Sequence, residues 1–250
     1  MSVRGEMQTY WEGEAQLYGE GIRKELQGFE RKAWKELILE HAPGQDKLDV
    51  LDIGCGPGFF SIILAEEGHR VTGIDCTDNM LAEARGHAEE EGVQVAEFRK
   101  MDSHRMEFED EQFDLIVCRN LTWTLDDPAS AYADWHRVLR KGGRLLIFDA
   151  NWNRHLVDED MRRQHEEDLQ AYVERGFGEP PQHVDWEESD RLSRLLPLTH
   201  EWRPAWDVQV LNKLGFAEVW TAENLNERIL DERQQVLSRS TPVFMVGAQK

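Results

Sequence analysis

Asp49-Val50-Leu51-Asp52-Ile53-Gly54-Cys55-Gly56-Pro57-Gly58-Phe59-Phe60 decides how the rest of the chain is read. Val50, Leu51 and Ile53 form a short apolar run of the kind found in a strand buried on both faces, and it stops at Gly54. Gly54, Gly56 and Gly58 let backbone approach a ligand without Cβ interference, and Phe60, Ile63 and Leu64 then recur at helical spacing. The stretch predicts strand, tight turn and helix, with the helix N-terminus presenting unpaired N–H groups to polar ligand atoms. It does not meet the dinucleotide fingerprint G-x-G-x-x-G, because Phe59 stands where the last glycine would fall.

Downstream, Gly68 stops the helix and Val71, Gly73 and Ile74 predict a second strand ending at Asp75. Asp75 lies 21 residues after Gly54, the distance at which an acid accepts hydrogen bonds from both ribose hydroxyls. That spacing suits NAD as well as any other ribose-bearing cofactor. The glycine pattern is narrower. D-x-G-x-G-x-G, from Asp52 to Gly58, resembles motif I of the class I S-adenosylmethionine (SAM)-dependent methyltransferases. The resemblance implies that the turn holds the methionine half of SAM rather than a pyrophosphate.

Composition sets outer bounds. The 250 residues suffice for one α/β domain with embellishments. A net charge of -20, from 49 acidic against 29 basic residues, opposes phosphate backbones and anionic membranes, so neither nucleic acid nor a membrane is an expected partner. Cys55, Cys76 and Cys118 have no metal-ligand spacing and read as buried, reduced thiols. Met1 to Gly13 has no apolar stretch and no segment is apolar enough to cross a bilayer, so the expected location is the cytoplasm. His155, His165, His183 and His200 lack the close pairing of a dedicated metal site, and no metal is expected.

Residues 1 to about 20 are polar with scattered aromatics and read as an arm or lid, followed by an amphipathic helix from Ile22 to about Glu40. The resemblance makes Tyr10 and Trp11 lid residues folded over the active site. It also fixes the cofactor contacts: Asp52, Gly54, Cys55, Gly56 and Gly58 in motif I, Asp75 and Cys76 at the second strand, and Met80 near the adenine. Thr77 is a plausible N-cap for the helix that carries Met80. Val93, Val95 and Phe98 predict a third strand, after which the resemblance assigns Asp102 to the adenine amine with Met101 and Ser103 as backbone contacts. Gln112 to Cys118 predicts a buried fourth strand, and Arg119, Asn120, Leu121 and Trp123 beyond it face the cofactor or substrate mouth. Arg137-Val138-Leu139-Arg140-Lys141-Gly142-Gly143 resembles the family's R-V-L-K-P-G-G without its proline, turning into a fifth strand from Leu145 to Phe148.

The chain is thus identified as a member of the class I methyltransferases, nearest in look to the ubiquinone/menaquinone-biosynthesis type. The expected fold is α/β: a Rossmann-like, seven-stranded, mostly parallel sheet with an antiparallel last strand and helices on both faces. The divisions are an N-terminal arm and lid helix (1–46), a SAM-binding core (47–149), a substrate-cap insertion after the fifth strand (150–206), and a C-terminal helix and strand pair (207–250). The cap contributes Trp152, Asn153, His155, Tyr172, Phe177, Trp186, Trp202 and Arg203 as a pool of acceptor contacts. The implied reaction moves a methyl group to a small-molecule acceptor. His104, His155 and Tyr10 are possible bases, and no spacing singles one out. The oligomeric state is open. An NAD(P)-dependent oxidoreductase and a SAM-binding protein without catalysis are the alternatives.

Overall fold

The computed structural model describes residues 2–180 and 185–250; the Pro180-Pro181 pair and His183 noted in the sequence lie partly or wholly outside them. Seven strands form one sheet in the order β3-β2-β1-β4-β5-β7-β6. β1 (Asp49–Ile53), β2 (Arg70–Asp75), β3 (Glu97–Lys100), β4 (Phe113–Arg119) and β5 (Leu139–Asp149) run parallel to one another. β7 (Phe244–Gln249) lies antiparallel between β5 and the edge strand β6 (Glu218–Ala222). The last strand is therefore not at the edge but enters the sheet inside β6.

Alternation along the central strands splits the core into two layers. Leu115 and Val117 face a cluster with Trp34, Phe60 and Phe148, whereas Ile116 and Cys118 face one with Tyr132, Trp135 and Leu211. Helices cover both faces, as strands apolar on both sides require. α3 (Phe59–Glu66) and α4 (Asp78–Glu90) link the first three strands; α5 (Pro128–Val138) leads directly into β5, which starts earlier than the glycine pair at Gly142-Gly143 suggests.

The N-terminal segment departs from the sequence reading. α1 spans Val3–Gln27, with Ser2 accepting from the Gly5 amide as its N-cap, so the expected polar arm is helical nearly from its start. Its buried positions Met7, Tyr10, Glu14, Ala15, Gly19, Ile22 and Leu26 form one stripe at helical spacing. Helix α2 (Glu30–His41) begins after a break at Gly28 and Phe29. The apolar spacing runs unbroken across that turn, which is why it reads as one helix; Phe29 is in fact exposed. The segment after β5 holds α6 (Glu159–Glu174) and α7 (Trp186–Ser193), and α8 (Ala205–Lys213) returns the chain to the sheet.

Candidate cofactor and substrate site

β1 and β4 are neighbours, yet their connections leave toward opposite sides, which opens a crevice at their carboxyl ends. A cavity of about 470 Å³ occupies it. Its floor is the glycine turn. Gly54, Gly56 and Gly58 have φ of 62°, 50° and 88°, a region that L side chains rarely adopt. Gly56 is the informative one: a Cβ there would have nothing nearer than Tyr18 Cε1 at 3.8 Å, so it would project into the cavity and take space from a ligand. Gly58 instead caps α3, and its Cβ would meet Ala84 Cβ at 3.0 Å.

Asp75 accepts from the Gly56 amide at 3.0 Å and from the Thr77 amide and hydroxyl at 2.9 and 2.7 Å. The acid of β2 thus also braces the glycine turn. Burial raises its pKa against these donors. Thr77 precedes α4, but its hydroxyl is spent on Asp75; Glu12 of α1 caps the helix instead, taking the Asp78 and Asn79 amides at 2.9 Å each. Asp52 sits behind the turn, 2% exposed, accepting from Ser61 Oγ at 2.7 Å. Burial pushes its carboxyl up to about 7, with the Ser61 bond pulling the other way.

Gly54, Gly56, Asp75, Cys76, Met80, Met101, Asp102, Ser103, Arg119, Asn120 and Trp11 all line the cavity. Asp52 and Cys55 border a smaller adjoining space of about 30 Å³, and Gly58 supports the turn from outside. Cys76 is exposed, correcting its reading as a buried thiol, because it follows the strand rather than ending inside it. Tyr10 and Trp123 do not line the cavity. Tyr10 packs with Met7, Leu192 and Leu196, and Trp123 stacks edge-on against Trp11 beside that cluster. Asn120 takes a left-handed φ of 54°, which asparagine tolerates better than most side chains.

Sequence reasoning missed most of the roof. Arg4, Met7, Gln8, Trp11 and Tyr18 of α1 line the cavity, and Gln8 donates to the Cys76 carbonyl at 2.7 Å. Arg4 bridges Asp102 at 2.8 Å and Asp126 at 2.9 Å. Asp102 also accepts from the His104 amide at 2.9 Å and lies 2.8 Å from its Nδ1. Burial would raise the Asp102 pKa, but His104 and Arg4 outweigh it and the net shift is downward. Nothing in the spacing of Arg4 or Glu12 announces these contacts, which join elements far apart in the chain.

The cap also differs from expectation. Among the described residues of 150–206, none lines the cavity. Trp186 and Trp202 are exposed, His155 stacks on His165 at 4.3 Å, and Tyr172 meets Phe177. α7 packs against α1 instead: Arg191 pairs with Glu6, and Leu192 and Leu196 meet Met7 and Tyr10. Arg203 is buried with Asp149 at 2.9 Å and Asp207 at 2.8 Å, and donates to Thr122 Oγ1 at 2.6 Å. The Thr122 hydroxyl in turn bonds Asp149. This network pins the 120–125 loop, whose Asn120, Leu121, Thr124 and Leu125 wall the cavity. Among the described residues, no three His, Cys, Asp or Glu side chains gather as metal ligands.

A backbone-built turn, an acid at the end of the second strand and a cavity across the switch point define an α/β domain shaped to hold a small ligand at its strand ends. The chain belongs to the methyltransferase-domain family, whose model matches residues 45–196. It is 40% identical over 105 residues to a ubiquinone biosynthesis O-methyltransferase of Pseudomonas aeruginosa, covering 42% of this chain and 45% of that protein. Over 99 residues it is 40% identical to a phosphatidylethanolamine N-methyltransferase of Cereibacter sphaeroides, covering 39% and 48%. The chain thus spans about half the length of the curated relatives it matches. Among solved structures, phosphoethanolamine N-methyltransferase 2 of Haemonchus contortus, in complex with S-adenosyl-L-methionine, superposes with a TM-score of 0.60 at 18% identity, covering 87% of this chain and 52% of that one. That likeness is one of fold.

Proposed function

We propose that this protein is a SAM-dependent methyltransferase acting on a small-molecule acceptor. The observation that carries the reading is the open space above Gly56, bordered on its other side by Asp75: a cradle into which a Cβ at Gly56 would intrude, beside an acid placed for a ribose. The family match and the names of the relatives support it. SAM supplies a methyl group on a positively charged sulfur. The chain's own residues would hold and orient: the glycine turn and Asp75 the nucleoside and its amino-acid arm, Met80, Met101 and Ser103 the base, and Asn120, Leu121 and Trp11 the space where an acceptor enters. Asp102 already serves Arg4 and His104, so it would meet an adenine amine with acceptor capacity partly spent. Lid helix α1 would exclude water, and alignment of the reacting groups supplies the rest of the catalysis.

A net charge of -20 favours a neutral or cationic small acceptor over nucleic acid, and no helix among the described residues is long and apolar enough to cross a membrane. The 150–206 segment would serve as a brace for α1 rather than as the acceptor wall. Release of S-adenosylhomocysteine should be assayed against amines, phenols and quinol precursors. Turnover with at least one class is expected; binding without turnover across the panel would favour a SAM-binding role instead.

A further inference from the structure

His87 sits on α4, 1% exposed, and lines neither the main cavity nor the small space beside Asp52. Its Nδ1 lies 3.0 Å from the carbonyl oxygen of Pro57, inside the glycine turn. A carbonyl only accepts, so Nδ1 carries the proton and donates. Nε2 has no hydrogen bond among the described residues, and Glu83 Oε2 stands 3.9 Å from it. An orphaned nitrogen in the interior costs stability, which leaves Nδ1 as the atom through which this ring acts.

The bond holds a peptide plane. The Gly58 amide donates to the Cys55 carbonyl at 2.9 Å and closes a turn of four residues. In a trans peptide the C=O and the N–H point in opposite directions, so the Pro57–Gly58 plane is gripped from both sides, by Cys55 on one and His87 on the other. Rotation of that plane would set the Pro57 carbonyl against the Cys55 carbonyl. One face of α4 supplies the whole seat: Met80 lines the cavity, Ala84 Cβ would stand 3.0 Å from a Cβ at Gly58, and His87 follows one turn later. We propose that His87 is a positioning residue for the cofactor: it turns the Pro57 carbonyl away from the ligand and fixes the conformation in which the space above Gly56 stays open. This rests on the methyltransferase reading and adds to it a residue that acts through the turn without touching ligand.

The test is calorimetric titration of S-adenosylhomocysteine into the full chain as wild type, His87→Leu, His87→Asn and Asn226→Leu. Leucine fills the interior without a donor, whereas asparagine places Nδ2 as many bonds from the backbone as histidine places Nδ1. Asn226→Leu removes buried hydrogen bonds to the Ser238 carbonyl and the Val243 amide, and so reads the effect of lost stability alone. His87→Leu should weaken binding by about tenfold or more at unchanged stoichiometry, the equivalent of one buried hydrogen bond. His87→Asn and Asn226→Leu should stay within about threefold of wild type. Unchanged affinity in His87→Leu, equal losses in His87→Leu and His87→Asn, or an equal loss in Asn226→Leu overturns the positioning role and leaves the methyltransferase reading standing. Should His87→Leu not fold, nitrogen NMR of the wild type decides: the imidazole signal missing from His87→Asn should show a slowly exchanging proton on Nδ1, and a proton on Nε2 alone overturns the role. A wild type that does not bind S-adenosylhomocysteine overturns both.

Discussion

The floor and the roof of the cavity are made of different material. The floor, from Asp52 to Met80, is backbone: three glycines at positive φ, amides held by Asp75, and a helix start. The roof is side chain: Arg4, Gln8, Glu12 and Glu25 reach from α1 to positions 66 to 122 residues away in the chain. A floor of this kind fails when one atom is added, because its conformation excludes Cβ atoms. A roof of this kind yields gradually, because each partly exposed contact contributes little by itself.

The strongest way to break the contrast is to remove the buried anchor behind the 120–125 loop. Arg203→Met leaves Asp149 and Asp207 as buried carboxylates without their counter-charge, and stability should fall by about 3–5 kcal/mol. Urea unfolding reads this, and a wild-type midpoint would show that the network is not holding the loop. On the floor, Asp75→Ala should weaken S-adenosylhomocysteine binding by about 1.5–3 kcal/mol, the range for hydrogen bonds to a charged group. Calorimetry measures it, and unchanged affinity would remove the ribose role.

Gly56→Ala sharpens the comparison further, since its side chain would meet no protein atom within 3.5 Å. The left-handed φ alone should cost about 1–2 kcal/mol of stability. Ligand affinity should fall as well, because the new methyl group occupies ligand space; a variant that is destabilised yet binds normally would place the ligand elsewhere. On the roof, Arg4→Ala breaks ion pairs to Asp102 and Asp126 in which Arg4 is 42% exposed. Its effect on the dissociation constant should stay within about 1 kcal/mol, while ligand release measured by stopped flow becomes faster. A large loss of affinity would mean that the roof binds ligand as strictly as the floor.

The same contrast explains what could be read before any coordinates. Gly54, Gly56, Gly58 and Asp75 were legible because backbone conformation and spacing restrict residue type at each position. The strands β1, β2 and β4 were legible for a similar reason, as apolar runs ended by turns. α1 was not, because its polar composition hides the stripe from Met7 to Leu26, and the break at Gly28 was hidden by apolar spacing that continues across it. Aromatic residues of the cap looked like acceptor contacts only because large side chains near a predicted site invite that reading. Packing sent Leu192 and Leu196 to α1 and left Trp186 and Trp202 at the surface. The Arg203 network could not be foreseen, since Asp207 is its one local partner and Asp149 and Thr122 are brought to Arg203 by tertiary packing.

Side-by-side calorimetric titration of the wild-type chain with S-adenosylhomocysteine and with NAD⁺ tests the central claim most directly. One-site binding of S-adenosylhomocysteine in the micromolar range, with no heat from NAD⁺ at the same concentrations, is the predicted result. Binding of NAD⁺ with equal or greater affinity, or no binding of S-adenosylhomocysteine at all, would contradict it.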